Sequence, residues 1–161
     1  MKTDHDQSLR KHLLELLQGG SAHVKFDEVA ADFPADLRGK KPSGQPHTPW
    51  RLLEHLRITQ WDIVEFSRNP KHVSPEWPER YWPSSDAPPN PAAWSKSVKA
   101  FHADLGAMQK LVEDPQADLF KPFPWGDGQT LLRESLLLAD HNAYHLGELL
   151  MLRRLLGAWQ K

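Results

Sequence analysis

The sequence predicts an all-α fold, a four-helix bundle with a long crossover between its second and third long helices, on three observations. Four segments repeat apolar residues at intervals of three and four, the spacing of one helix face. No segment gives a convincing strand signal. The four segments are separated by stretches rich in Gly and Pro, the longest of them between the second and third. At 161 residues the chain is read as a single domain, 1–161.

The first helix is expected over residues 4–18, where Leu9, Leu13, Leu14, Leu16 and Leu17 recur at helical spacing and Gly19-Gly20 stops them. Ser21 can cap a short turn into a minor helix around Phe26 to Phe33, and LRGKKPSGQPHTP then reads as loop. Thr48-Pro49 opens the second long helix, with Thr as N-cap and Pro in the first turn, and Asn69-Pro70 closes it. Residues 70–91 are too rich in Pro for a helix and contain Trp77, Tyr81 and Trp82; a connection this long lets the flanking helices lie parallel. The third long helix is expected over 91–112, opening at Pro91, with Trp94, Val98, Phe101, Leu105 and Met108 on one face and Leu111 or Val112 completing it. After the Pro-containing loop EDPQADLFKPFPWGDG, the last helix runs from near Thr130 to about Leu156.

Composition narrows the function. Lys plus Arg is 20 against 21 for Asp plus Glu, a formal charge of −1, which gives no electrostatic basis for a nucleic-acid partner. There is no Cys, so disulfides, thiolate metal sites and a cysteine nucleophile are excluded. The lack of Cys, of a signal-like apolar core after Met1 and of any apolar run near 18 residues leads us to expect a cytoplasmic protein without a membrane partner. No G-x-S-x-G, P-loop, dinucleotide fingerprint or H-E-x-x-H motif occurs.

The residues that carry chemistry lie on the last helix. Residues four apart stack on one helix face, and His141 and His145 are such a pair. The same stripe contains Leu131, Glu134, Leu138, Leu149, Leu152 and Leu156, so the imidazoles lie within a leucine face, where they need a partner. One divalent ion satisfies two neutral imidazoles at this spacing, although two such histidines on one helix are more often plain core or surface residues. His55, on the second helix among Leu52, Leu56, Thr59 and Ile63, offers a third inward imidazole. Three nitrogen ligands leave zinc, nickel or a similar ion an open position, as catalytic sites require.

LLEHL on the second helix, a Pro-rich crossover, and HNAYHLGELLMLRRLLG on the last helix together resemble the DinB-like (YfiT-like) family of metalloproteins over nearly the whole chain. The resemblance implies a four-helix bundle with one divalent metal ion, zinc or nickel, held by one His of the second helix and an H-x-x-x-H pair of the fourth, which fall here on His55, His141 and His145. Its HLGE segment gives Gly147 a packing role. It also implies a small-molecule substrate, first a low-molecular-weight thiol such as mycothiol or bacillithiol handled by a metal-dependent S-transferase, with hydrolysis of a small molecule as the neighbouring reaction. Pairing into a homodimer through helix faces is a further implication.

Four residues are candidates to orient a ligand or line the site. Glu134 lies two turns before His141 and Glu148 one turn after His145, Asp62 follows His55 by two turns, and His47 precedes the second helix. Each has an ordinary reading as a solvated side chain. Some loop tryptophans are expected to wall a pocket or an interface. Against the enzymatic reading stands a non-catalytic, stress-associated or structural bundle.

Overall fold

The computed structural model describes residues 4–159, and among them it is all-helical. Helix α1 spans Asp4–Gln18, α2 Phe26–Ala30, α3 Pro49–Arg68, α4 Ala93–Glu113 and α5 Leu131–Leu155. Short 3₁₀ turns occupy Ala35–Leu37 and Glu79–Tyr81, and the one β feature among the described residues is an isolated bridge between Pro122 and Thr130. No helix is long and apolar enough to cross a membrane.

Helix ends follow local chemistry. α1 stops where Gly19 takes a positive φ of 67°, a conformation that a Cβ disfavours. Thr48 and Thr130 cap α3 and α5, each accepting a bond from the backbone N–H three residues on. Two boundaries differ from expectation. Ser21 does not cap the minor helix; its first turn is closed by Glu28, whose carboxylate accepts from the Lys25 N–H, and it ends at Ala30 with Phe33 buried beyond it. α4 begins at Ala93 and not at Pro91, because Asn90 folds the chain into a turn first, its side chain and its carbonyl accepting from the N–H groups of Ala92 and Ala93.

α3 packs against both α4 and α5, and α1 packs against the same two helices. The apolar interior falls into two clusters. One joins Trp50, Leu52 and Leu53 of α3 with Trp94, Leu146, Leu149 and Leu152, under a cap of Val29 and Phe33. The other joins Leu13, Leu17, Ile63, Val64, Met108, Val112, Leu131 and Leu138. Along α3 and α5 the stretch between the clusters is polar and carries His55, Thr59, Gln60, His141, Asn142 and His145. Burying side chains of this kind is costly where an atom lacks a partner, as Thr59 Oγ1, His141 Nδ1 and Asn142 Oδ1 do.

Two buried arginines fasten the ends. Arg10 donates to the carbonyls of Val112, Asp114 and Ala117, tying α1 to the exit of α4. Arg153 donates to the carbonyls of Glu28, Val29 and Ala158 and pairs with Asp32, so the end of α5 is bound to α2.

Candidate metal centre

His55 lies in the middle of α3 and is 2% exposed; His141 and His145 lie one turn apart on α5. The helices bring the three rings together, with one ligand atom from each within 4.8 Å of the others. His55 Nε2 is 3.2 Å from His145 Nε2 and 3.1 Å from His141 Nε2. Among the described residues this is the one group of three or more His, Asp or Glu side chains arranged to hold a metal ion.

The outer nitrogens settle which tautomers face inward. His55 Nδ1 lies 2.9 Å from the Tyr81 carbonyl, which can only accept, so Nδ1 carries the proton and Nε2 a lone pair. His145 Nδ1 lies 2.6 Å from Glu148 Oε2, and the same reasoning leaves a lone pair on its Nε2. With His145 in its neutral form, two lone pairs face each other at 3.2 Å. His141 can donate one N–H to His55, which still leaves His145 without a donor.

Burial keeps two of the three rings uncharged at neutral pH. Burial holds His55 down to about 4, against the pull of the Tyr81 carbonyl and with the help of nearby His145 and His47. Burial, followed by the neighbouring His145 and His55, brings His141 down to about 3. His55 and His141 thus present neutral nitrogens, and a ligand nitrogen of His145 converges with them. Two nitrogens each about 2.0–2.1 Å from a shared zinc ion stand roughly 3.0–3.4 Å apart, so the observed spacing fits such an ion.

The Pro-rich connection supplies the wall. Trp82 stacks on His55, with centroids 3.9 Å apart and planes within 2°, and His47 stacks on the indole's other face at 4.0 Å. Tyr81 pins the segment: its carbonyl accepts from His55, while its hydroxyl donates to Asp62 at 2.6 Å. Burial and the bond to Asp62 push the Tyr81 phenol well above its usual range. Asp62 also pairs with His72 at 2.7 Å. The loop aromatics expected to line a pocket include Trp82, but its ring contact and the Tyr81 carbonyl were not legible in the sequence. Both lie 26 and 27 residues from His55, and no periodicity joins them to it.

The four auxiliary candidates divide. Glu148 touches a site imidazole directly. His47 reaches the site through Trp82; burial and Arg51 lower its pKa, with Glu148 opposing, and its Nδ1 is buried without a partner. Asp62 bonds His72 and Tyr81, and it meets the site through Tyr81, with no hydrogen bond to His55, His141 or His145 among the described residues. Glu134 is 3% exposed but pairs with Arg133 on its own helix, and no contact joins it to the histidines. Gly147 is exposed, and a Cβ added there would meet nothing within 4 Å, so the packing role expected of it has no counterpart among the described residues.

Beside Glu148 lies a cavity of about 80 Å³, lined also by His47, Leu52 and Met151. A wider groove of about 690 Å³ between α3 and the connection, lined by Arg57, Trp61, Ser74 and Arg80, includes none of the three histidines. The smaller space is also lined by none of the three histidines, but two of its walls touch their surroundings, Glu148 bonding His145 and His47 stacking on Trp82.

Comparison with known proteins gives one result. The family described as the DinB superfamily matches residues 9–149. No curated protein and no solved structure matches the chain.

Proposed function

The chain belongs to the DinB superfamily, and from that premise we propose that it is a single-domain, cytosolic four-helix bundle holding one divalent metal ion, zinc or nickel, on His55, His141 and His145. The observation that carries this reading is the convergence of the three imidazoles, with His55 Nε2 3.2 Å from His145 Nε2 and 3.1 Å from His141 Nε2, an arrangement that a shared cation fits. The bundle reading is supported by the contacts of α3 and α1, each packed against both α4 and α5, and the crossover reading by the length of chain between α3 and α4.

Such an ion supplies positive charge that makes a thiol or a water acidic at neutral pH. The protein's own part is to hold three neutral ligands and leave at least one position open. The Tyr81 carbonyl orients His55 through Nδ1, and Glu148 does the same for His145. Trp82 covers one face of His55, and the cavity between His47 and Glu148 lies where a small substrate group can approach. We take a low-molecular-weight thiol as the first substrate class and a small hydrolysable molecule as the second. We further propose a homodimer, for which the exposed Leu136, Leu137, Tyr144, Met151 and Leu155 of α5 offer an apolar face.

One observation favours a non-catalytic metal-binding bundle: about 80 Å³ is small beside the roughly 300–1,000 Å³ of ordinary small-molecule sites. Elemental analysis of untagged protein, comparing wild type with His141→Ala and His145→Ala, tests the centre. Near-stoichiometric zinc or nickel that both variants lose is the expected result; no metal even after reconstitution overturns it. Consumption of small thiols by the loaded protein then separates the enzymatic from the non-catalytic reading.

A further inference from the structure

His141 differs from the other two imidazoles, because its Nδ1 is buried and has no hydrogen-bond partner. The next residue, Asn142, carries a buried side-chain oxygen, Oδ1, that also lacks one. A buried potential donor and a buried acceptor left over on adjacent residues are uncommon, since an unmet polar group in the interior loses its bonds to water without replacement.

The orientation of the Asn142 amide is fixed from outside the site. Gln60 donates its NH₂ group to the Phe101 carbonyl at 2.6 Å, so its own oxygen points the other way. That oxygen can only accept, and Asn142 donates its NH₂ group to it at 2.8 Å. Asn142 Oδ1 is therefore left as a buried acceptor without a partner, on the residue next to His141. Neither leftover atom has a partner at hydrogen-bonding geometry, yet the Asn142 side chain is close enough to His141 to favour its protonated ring.

The tautomer logic gives this oxygen a task. When His141 Nε2, 3.1 Å from His55 Nε2, donates to it, Nδ1 carries a lone pair that Asn142 Oδ1 cannot bond. When Nε2 is a metal ligand its proton must move to Nδ1, where Asn142 Oδ1 can accept it. We propose that Asn142 is the positioning residue of His141, a carbonyl acceptor held by the Gln60–Phe101 relay that favours the ligating tautomer; this rests on the metal-centre reading above. His55 and His145 have corresponding acceptors in the Tyr81 carbonyl and Glu148.

The test measures Zn²⁺ affinity by competition with a chromophoric chelator, together with thermal stability, in wild type, Asn142→Ala and Asn142→Asp. Ala removes both the acceptor toward His141 and the donor toward Gln60; Asp keeps the acceptor and loses the donor. The expected result is that both variants melt lower, that Asn142→Ala binds Zn²⁺ about 10- to 100-fold more weakly, and that Asn142→Asp retains affinity near wild type. Ring ¹⁵N shifts of the zinc-loaded wild type should show His141 protonated at Nδ1. Affinity that follows melting temperature in both variants, or that Asn142→Ala leaves unchanged, overturns the inference alone. Wild type that binds no Zn²⁺ overturns the metal-centre reading and this inference with it.

Discussion

Glu134 shows how much a single residue's surroundings can outweigh its place in a pattern. It shares a helical stripe with His141 and His145, which made it a candidate, but two turns of α5 separate it from them and its partner is Arg133. Burial raises its pKa, with Arg133 only partly opposing. A raised folded-state value means that the folded protein binds the proton more tightly than the unfolded chain does. Stability therefore declines as pH rises from the ordinary 4.5 through the folded value. Glu134→Gln is expected to flatten that decline, with urea unfolding between pH 4.5 and 8 as the check; parallel curves for the two proteins count against it. Gly147 is the opposite case, a pattern-derived packing residue that touches nothing. Gly147→Ala is expected to stabilise the protein by about 0.5–1 kcal/mol. Thermal unfolding decides, and a loss of stability indicates that another chain covers this face. The three histidines were legible because i, i+4 spacing on one helix and an apolar setting on another are local signals. Glu148 was legible for the same reason, whereas Asn142 gains its importance from Gln60 and Phe101 on other helices.

At the scale of elements, helix starts were readable where a cap precedes a Pro or an apolar run, as at Thr48 and Thr130. What the cap does beyond its own helix was not readable. Thr48 accepts from the Arg51 N–H and also donates to the Asp86 carbonyl at 2.6 Å, so one side chain starts α3 and anchors the connection that follows it. Thr130 makes only the capping bond in an exposed setting. Thr48→Ala is accordingly expected to cost about 1.5–3 kcal/mol and Thr130→Ala about 0.5–1 kcal/mol. Equal losses in denaturant unfolding would remove the case for the second bond. The connection between α3 and α4 was legible as non-helical from its prolines. Its role as a wall of the site was not, because stacking of Trp82 on His55 depends on how the segment folds back.

For the whole molecule, the all-helical class and membership of the DinB superfamily followed from periodicity and from the order of the motifs. The division of the interior into two apolar clusters with a polar layer between them was visible only in part, as His and Gln interrupting the apolar faces of α3 and α5. On the metal-centre reading, treating the loaded protein with a strong chelator is expected to lower its melting temperature by roughly 5–10 °C, since a ligand at about 100 times its Kd contributes about 2.7 kcal/mol. Calorimetry with and without zinc checks this, and identical transitions overturn it. Asn142→Asp and wild type should respond alike. The distance along the chain between His55 and His141 adds a last consequence. A chain without cysteine has no covalent staple of its own, yet an ion shared by these residues closes a loop 86 residues long. In the chain-entropy treatment of cross-links, a closure of that length restricts the unfolded state by roughly 4–5 kcal/mol if the ion stays attached on unfolding. On the metal-centre reading, metal exchange would be for this protein what thiol–disulfide exchange is for a secreted one: a reversible way to fasten or release the two halves of the chain.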